Sequence, residues 1–160
     1  TVAAMVHRVD PARGTWTYFQ PLGPGMFKKV VNLDQDASGR LYVADMKLKV
    51  GEATFYYPDL MAVCAPPPES PLYEEAPCLV VEVLSPATEG VDRREKLWRY
   101  REIPSLQAYL LVDSRERRVE GYFRQGEGWL YRLWEGEGEV EVACLEARFS
   151  VSALYEGVAF

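Results

Sequence analysis

Histidine is almost absent, with His7 alone among 160 residues. Cysteine is scarce too. Cys64, Cys78 and Cys144 are far apart and odd in number, and no pair has the two-residue spacing of a zinc knuckle. Only His7 could assist them, so the expectation is reduced thiols, buried in a cytosolic protein. No apolar run approaches the roughly 20 residues of a spanning helix, so no membrane association is expected. The first residues lack a basic start followed by an apolar core, so no signal peptide is expected; the chain starts at Thr1, which leaves room for a leader. There are no internal repeats and no low-complexity segments.

What is present suits one globular domain. Apolar residues make up 48% and charged residues 26%. A chain of this length buries roughly two thirds of its unfolded surface. The net charge of −6 argues against gripping nucleic acid by bulk electrostatics. The distribution softens that argument. Residues 1–126 hold 16 basic and 17 acidic side chains, whereas 127–160 hold 2 and 7. Between Val91 and Arg101 the chain carries a local excess of +3, so a polyanion could approach there without meeting the acidic end.

In chain order, Val2–Val9 reads as a short helix or strand. Closely spaced Pro and Gly from Pro11 to Gly25 disfavour long elements. Met26–Leu33 is a candidate strand and Asp34–Gly39 a polar turn. Leu41–Val50 alternates like one half-exposed strand. Phe55–Cys64 reads as another, with Pro58 marking an edge, a bulge or a strand start. A backbone distortion there would aim the next residue, Asp59. After the proline-rich loop from Pro66 to Pro77, Cys78–Leu84 is the most apolar strand, broken only by Glu82, and reads as central. Asp92 reads as a helix N-cap with Glu95 completing a capping box, and the helix ends before Pro104. Leu97 and Tyr100 would dock on the sheet, with Lys96 at the margin of that face. Leu106–Asp113 is a second buried strand. Arg118–Gln125 and Trp129–Trp134 form a hairpin around Gly126-Glu127-Gly128, and Glu139–Cys144 adds a strand. The fold class is α/β in the α+β sense: mostly antiparallel strands, one clear helix and a C-terminal β-meander.

Three groups on consecutive elements carry the chemistry: Asp59, Glu82 and Lys96. A hard cation held by two carboxylates lowers the pKa of bound water and neutralises charge on a phosphodiester under attack. An ammonium beside it orients the water and stabilises developing negative charge. Each residue has a plainer reading. Asp59 could end a strand, and Lys96 could be a solvated lysine. Glu82 in an apolar strand has few structural excuses. Arg93, Arg94 and Arg99 read as surface charge or DNA-backbone contacts, Trp98 and Tyr100 as packing, Ser85 as a loop hydrogen-bonder. Asp45 reads as an exposed strand residue or a third acid, His7 as inert. Trp129, Tyr131 and Trp134 are candidates for an oligomer contact.

The segments Tyr56-Tyr57-Pro58-Asp59, Leu79 to Thr88, Asp92-Arg93-Arg94-Glu95-Lys96 with Tyr100, and Ile103 to Val112 resemble the Uma-two family. Its members are restriction-endonuclease-like proteins of the PD-(D/E)xK nuclease superfamily. The resemblance covers roughly residues 39–158. It implies a restriction-endonuclease-like core, a mixed sheet flanked by helices, in a single domain over 1–160 whose first 38 residues are divergent or incomplete. It implies that Asp59 and Glu82 bind Mg²⁺ or Mn²⁺. The superfamily lysine two residues after the glutamate is replaced by Leu84, and the resemblance moves that role to Lys96 on the following helix. The function so implied is a metal-dependent endonuclease acting on DNA, cytoplasmic and homodimeric. The alternative is a catalytically degenerate nuclease fold serving as a structural or nucleic-acid-binding module. An RNA-processing or transposase-associated nuclease is a third reading.

Overall fold

A parallel pair of strands joined by a helix lies at the centre of the structure. The structure is a computed structural model that describes residues 6–10, 15–19, 40–43, 46–65 and 72–160, with side chains from residue 46 onward. Strand β8 (Leu79–Leu84) runs parallel to β9 (Ala108–Asp113) in the register Leu79↔Ala108 to Leu84↔Asp113. A parallel pair cannot be closed by a tight turn, so the chain crosses over through a helix. That run consists of α1 (Glu89–Val91), a π turn (Asp92–Lys96) and α2 (Leu97–Arg101). Every residue of β9 is buried, as a central strand covered on both faces requires.

The remaining strands are β1 (Val6–Asp10), β2 (Thr15–Phe19), β3 (Arg40–Val43), β4 (Lys47–Val50), β5 (Thr54–Tyr56), β6 (Leu60–Val63), β7 (Tyr73–Glu74), β10 (Arg118–Gln125), β11 (Gly128–Glu135), β12 (Glu139–Val142) and β13 (Ala147–Ser150). The main sheet is six-stranded, ordered β11-β10-β9-β8-β6-β3, and antiparallel except for β8 beside β9. β4, β5 and β7 form a small second sheet, β12 pairs with β13, and β1 pairs with β2. A short helix, α3 (Val151–Leu154), follows, its first turn capped by Ser150 Oγ accepting from Ala153 N–H at 3.1 Å. This is the mixed, mostly antiparallel α+β architecture the sequence implies.

Alternation along the strands sorts the core into two layers. Leu60, Ala62, Leu79, Leu110, Val112 and Val119 face the β12–β13 pair and α3. Met61, Val63, Val80, Leu84, Tyr109 and Leu111 face Leu97, Tyr100, Ile103 and Leu106 of the helix and its exit. Arg124 on β10 clasps that exit, donating to the carbonyls of Ile103 at 2.8 Å and Leu106 at 2.7 Å. The β10–β11 turn is Gly126-Glu127, with Gly126 at φ +57° as a tight hairpin demands. At Gly121 a Cβ would collide with the Phe123 ring that lies over it.

Several boundaries depart from expectation. Leu41–Val50 is two strands in two sheets, because β3 pairs with β6 and β4 pairs with β5 and β7. Phe55–Cys64 likewise divides at Pro58 into β5 and β6. Proline cannot donate to a ladder, and Pro58 lies in the break between the two strands. The helix begins at Glu89, three residues before Asp92, so Asp92 is not its N-cap. Val6–Asp10 is a strand. The candidate elements at Met26–Leu33 and Asp34–Gly39 lie outside the described residues, as does Asp45.

Candidate active site

Continuing the β6–β8 register beyond Leu60↔Val81 would oppose Asp59 to Glu82 and Pro58 to Val83. Pro58 has no N–H and the ladder stops. The Asp59 side chain takes over, its Oδ2 accepting from Val83 N–H at 2.7 Å. Asp59 has the parity of Met61 and Val63, and Glu82 that of Val80 and Leu84, so both carboxylates point to the helix-covered face.

The helix brings the cation. Lys96 Nζ lies 3.0 Å from Glu82 Oε1 and 2.8 Å from Asp92 Oδ1. Its side chain is 15% exposed, the Glu82 side chain 3% and that of Asp92 1%. Tyr100 donates its hydroxyl to Glu82 Oε1 at 2.8 Å. Tyr109 donates to the Asp92 carbonyl at 3.0 Å, anchoring the π turn to β9. Such turns are rare and concentrate at functional sites. Tyr56, edge-on to Tyr100 at 5.5 Å, donates to Glu95 Oε1 at 2.7 Å and closes the outer side.

The electrostatics follow from burial. Desolvation pushes the Glu82 carboxyl up to about 7, and the Asp59 charge adds to the rise; Lys96 and the Tyr100 hydroxyl oppose it. Asp59 is also raised, chiefly by burial, against the pull of the Val83 N–H and Lys96. Each acid is among the causes of the other's shift, so the two carboxyls are neighbours in the site. Burial works to lower Lys96, but the Glu82 and Asp92 carboxylates outweigh it and the ammonium is held charged. The Tyr100 hydroxyl is pushed upward by burial and by Glu82, so it remains a donor.

Asp59, Glu82 and Lys96 are therefore brought together from three elements. Among the described residues, no three His, Cys, Asp or Glu side chains are grouped to hold a metal unaided. The donor set is a pair of carboxylates on one sheet face, which suits a hard cation that keeps its waters and shares a substrate phosphate, and does not suit zinc. Leu84, in place of the usual lysine, is 1% exposed and packs with Leu97 and Tyr100.

Asp92, read from sequence as a cap, is instead a buried partner of Lys96, and Tyr100 is a partner of Glu82 as well as packing. The signal was the spacing Asp92, Lys96, Tyr100, which repeats every four residues along one helix face. Arg93 is spent internally on Glu89 and Glu120. Arg94 is exposed, and Arg99 is exposed with Glu102 at 3.7 Å. Trp98 is 69% exposed, so it is not packing. Ser85 bonds within its loop to Thr88. Trp129 and Trp134 are half-buried in their own chain, Trp129 beneath Arg124 at 4.5 Å and Trp134 against Phe123, while Tyr131 is exposed. No helix among the described residues is long and apolar enough to cross a membrane.

A crystal structure of a "putative nuclease belonging to DUF820" from Anabaena variabilis is similar in fold, with a TM-score of 0.63 and 18% identity, over 77% of this chain and 71% of that one. The fold is restriction-endonuclease-like. Two uncharacterized proteins of Synechocystis sp. are each 36% identical, over 120 and 117 residues. The matches cover 73% and 69% of this chain but 63% and 66% of those proteins, so the chain spans just under two thirds of their length. Residues 26–153 match the family Uma2, described as "Putative restriction endonuclease". With most of its length matched and the carboxylate pair in place, the chain belongs to the Uma2 family.

Proposed function

We propose that the chain is a metal-dependent endonuclease that hydrolyses DNA phosphodiester bonds, with Asp59 and Glu82 holding Mg²⁺ or Mn²⁺ and Lys96 acting beside them. The observation that supports it most is the meeting of these groups on a largely buried face: Lys96 from the helix lies 3.0 Å from Glu82 of β8, and Asp59, just before β6, is tied to the next residue of β8, Val83. A sheet does not need a glutamate there, and burying one is costly. When bound, the cation supplies Lewis acidity and a more acidic water.

The chain's own residues do the rest. Val83 N–H fixes the Asp59 carboxylate and Tyr100 fixes that of Glu82, and one oxygen of each would be left to hold the cation. Glu82, with its pKa near 7, would hold the cation in its deprotonated form. Lys96 stays charged between Asp92 and Glu82, ready to donate to a phosphate oxygen or to the attacking water. The exposed Arg94 and Arg99 lie on this same helix and suit backbone phosphates. Cutting both strands calls for two such sites, which a homodimer supplies.

The test is cleavage of supercoiled plasmid with and without Mg²⁺ or Mn²⁺. Metal-dependent cutting that is lost in Glu82→Ala and Lys96→Ala is expected; cutting unchanged by both substitutions contradicts the residue assignment. A second reading, a nuclease fold kept as a non-catalytic module, is favoured by the bracketing of Lys96 between two carboxylates. It predicts no Mg²⁺ or Mn²⁺ binding by calorimetry.

A further inference from the structure

At the opposite end of the β6–β8 pair, the fold gathers all three cysteines. Cys64 follows β6 and Cys78 precedes β8, and their sulfurs are 2.7 Å apart. Cys144 joins them from the turn after β12, its Sγ donating to the Cys78 carbonyl at 3.4 Å. Cys64 Sγ donates in turn to the Cys144 carbonyl at 3.6 Å. Cys78 is buried and Cys144 half-buried, but Cys64 is exposed, contrary to the expectation of three buried thiols. Hydrogen bonding of the Cys78 thiol to the Cys144 and Cys64 sulfurs, and then burial, push it upward.

We propose that Cys64 and Cys78 are a thiol oxidation site, closing to a reversible disulfide when Cys64 meets a hydroperoxide. The exposed Cys64 sulfur attacks the peroxide, the O–O bond breaks, and a sulfenic acid and one alcohol or water form. The Cys78 sulfur then displaces the sulfenic hydroxyl. The S–S bond forms, the S–O bond breaks, and the hydroxyl leaves as water with the Cys78 proton. Two thiols are oxidised and one peroxide is reduced. The sulfurs need to close from 2.7 Å to a bond of about 2.05 Å, and the two cysteines already sit on neighbouring strand ends. The bridge would tie the end of β6 to the start of β8 and so hold their register, Leu60↔Val81 to Ala62↔Leu79. Nothing in this depends on the nuclease reading.

The test treats the reduced full chain with stoichiometric hydrogen peroxide, alkylates in denaturant and maps the thiols without reductant. Trypsin leaves Cys64 and Cys78 in one peptide, so a glutamate-specific protease is needed; it cuts between them at Glu69, Glu74 or Glu75. Alkylated thiols are expected to fall from three per chain to one, with Cys144 still labelled and Cys64 linked to Cys78. Dithiothreitol restores all three. The oxidised chain should melt about 5–10 °C higher. Cys144→Ser should still form the link, and Cys78→Ser should stop at a dimedone-reactive Cys64. Three labels after peroxide, a link through Cys144, links between chains, or Cys64 over-oxidised beside a labelled Cys78 would each overturn the proposal.

Discussion

The two faces of the six-stranded sheet are made by the same strands and differ in what they bury. On one, Leu60, Leu79, Leu110 and Val119 meet Val140, Val142 and Val151, hydrocarbon against hydrocarbon. On the other, the same strands bury Glu82 and Glu120 beneath a helix that brings Asp92, Arg93 and Lys96. The first face shows that this sheet can be covered by apolar side chains alone. The ionic groups of the second are therefore not required for burial, and they cost stability unless well partnered. Among the described residues the buried acids of this sheet lie on one face, and under the proposed function that is the working side.

The comparison can be broken by substitution, one face at a time. On the apolar face Leu110→Ala should cost about 2–5 kcal/mol in urea unfolding, equally at pH 5 and pH 8. A pH-dependent loss there would erase the distinction between the faces. On the ionic face Lys96→Ala should lower plasmid cleavage by roughly 10²–10³-fold, the equivalent of about 3–4 kcal/mol.

Glu82→Gln sharpens the contrast through its sign. The Glu82 pKa is raised from an ordinary 4.5 to about 7, so the folded chain holds a proton that the unfolded chain releases. The stability that Glu82 contributes is full below pH 4.5 and is lost as the pH rises through 7. The substitution should therefore stabilise the protein at pH 8, by on the order of 2–3 kcal/mol, and change little at pH 4.5. Unfolding curves at the two pH values decide it; destabilisation at pH 8 would show the carboxylate to be structural. Smallest is Tyr100→Phe, which removes the hydroxyl facing Glu82 and should cost about 1.5 kcal/mol at pH 8 while raising the Glu82 pKa further, measured by carboxyl NMR titration.

Much of this was legible in the residues. Glu82 inside an apolar strand, Asp59 behind a proline and Lys96 on the next helix announced themselves, and the structure brings all three together. The crossover helix and the β10–β11 hairpin followed from periodicity and from Gly126. The roles of Asp92 and the cysteines were not readable locally. Asp92 has every feature of a cap, and only the three residues of α1 ahead of it show that it lies inside a helix. The cysteines are separated by 14 and 66 residues, and only strand pairing makes them neighbours. The division of Leu41–Val50 and Phe55–Cys64 between two sheets is likewise a matter of partners, because strand periodicity says which side is buried and not which sheet is joined.

The central claim is that Asp59 and Glu82 share one divalent cation, and calorimetric titration of Mn²⁺ at pH 8 tests it most directly. One site per chain is predicted for the unaltered protein and for Glu120→Gln, a buried acid of the same face with arginine partners, and none for Asp59→Asn or Glu82→Gln. Equal binding by all four proteins, or by none, would contradict it.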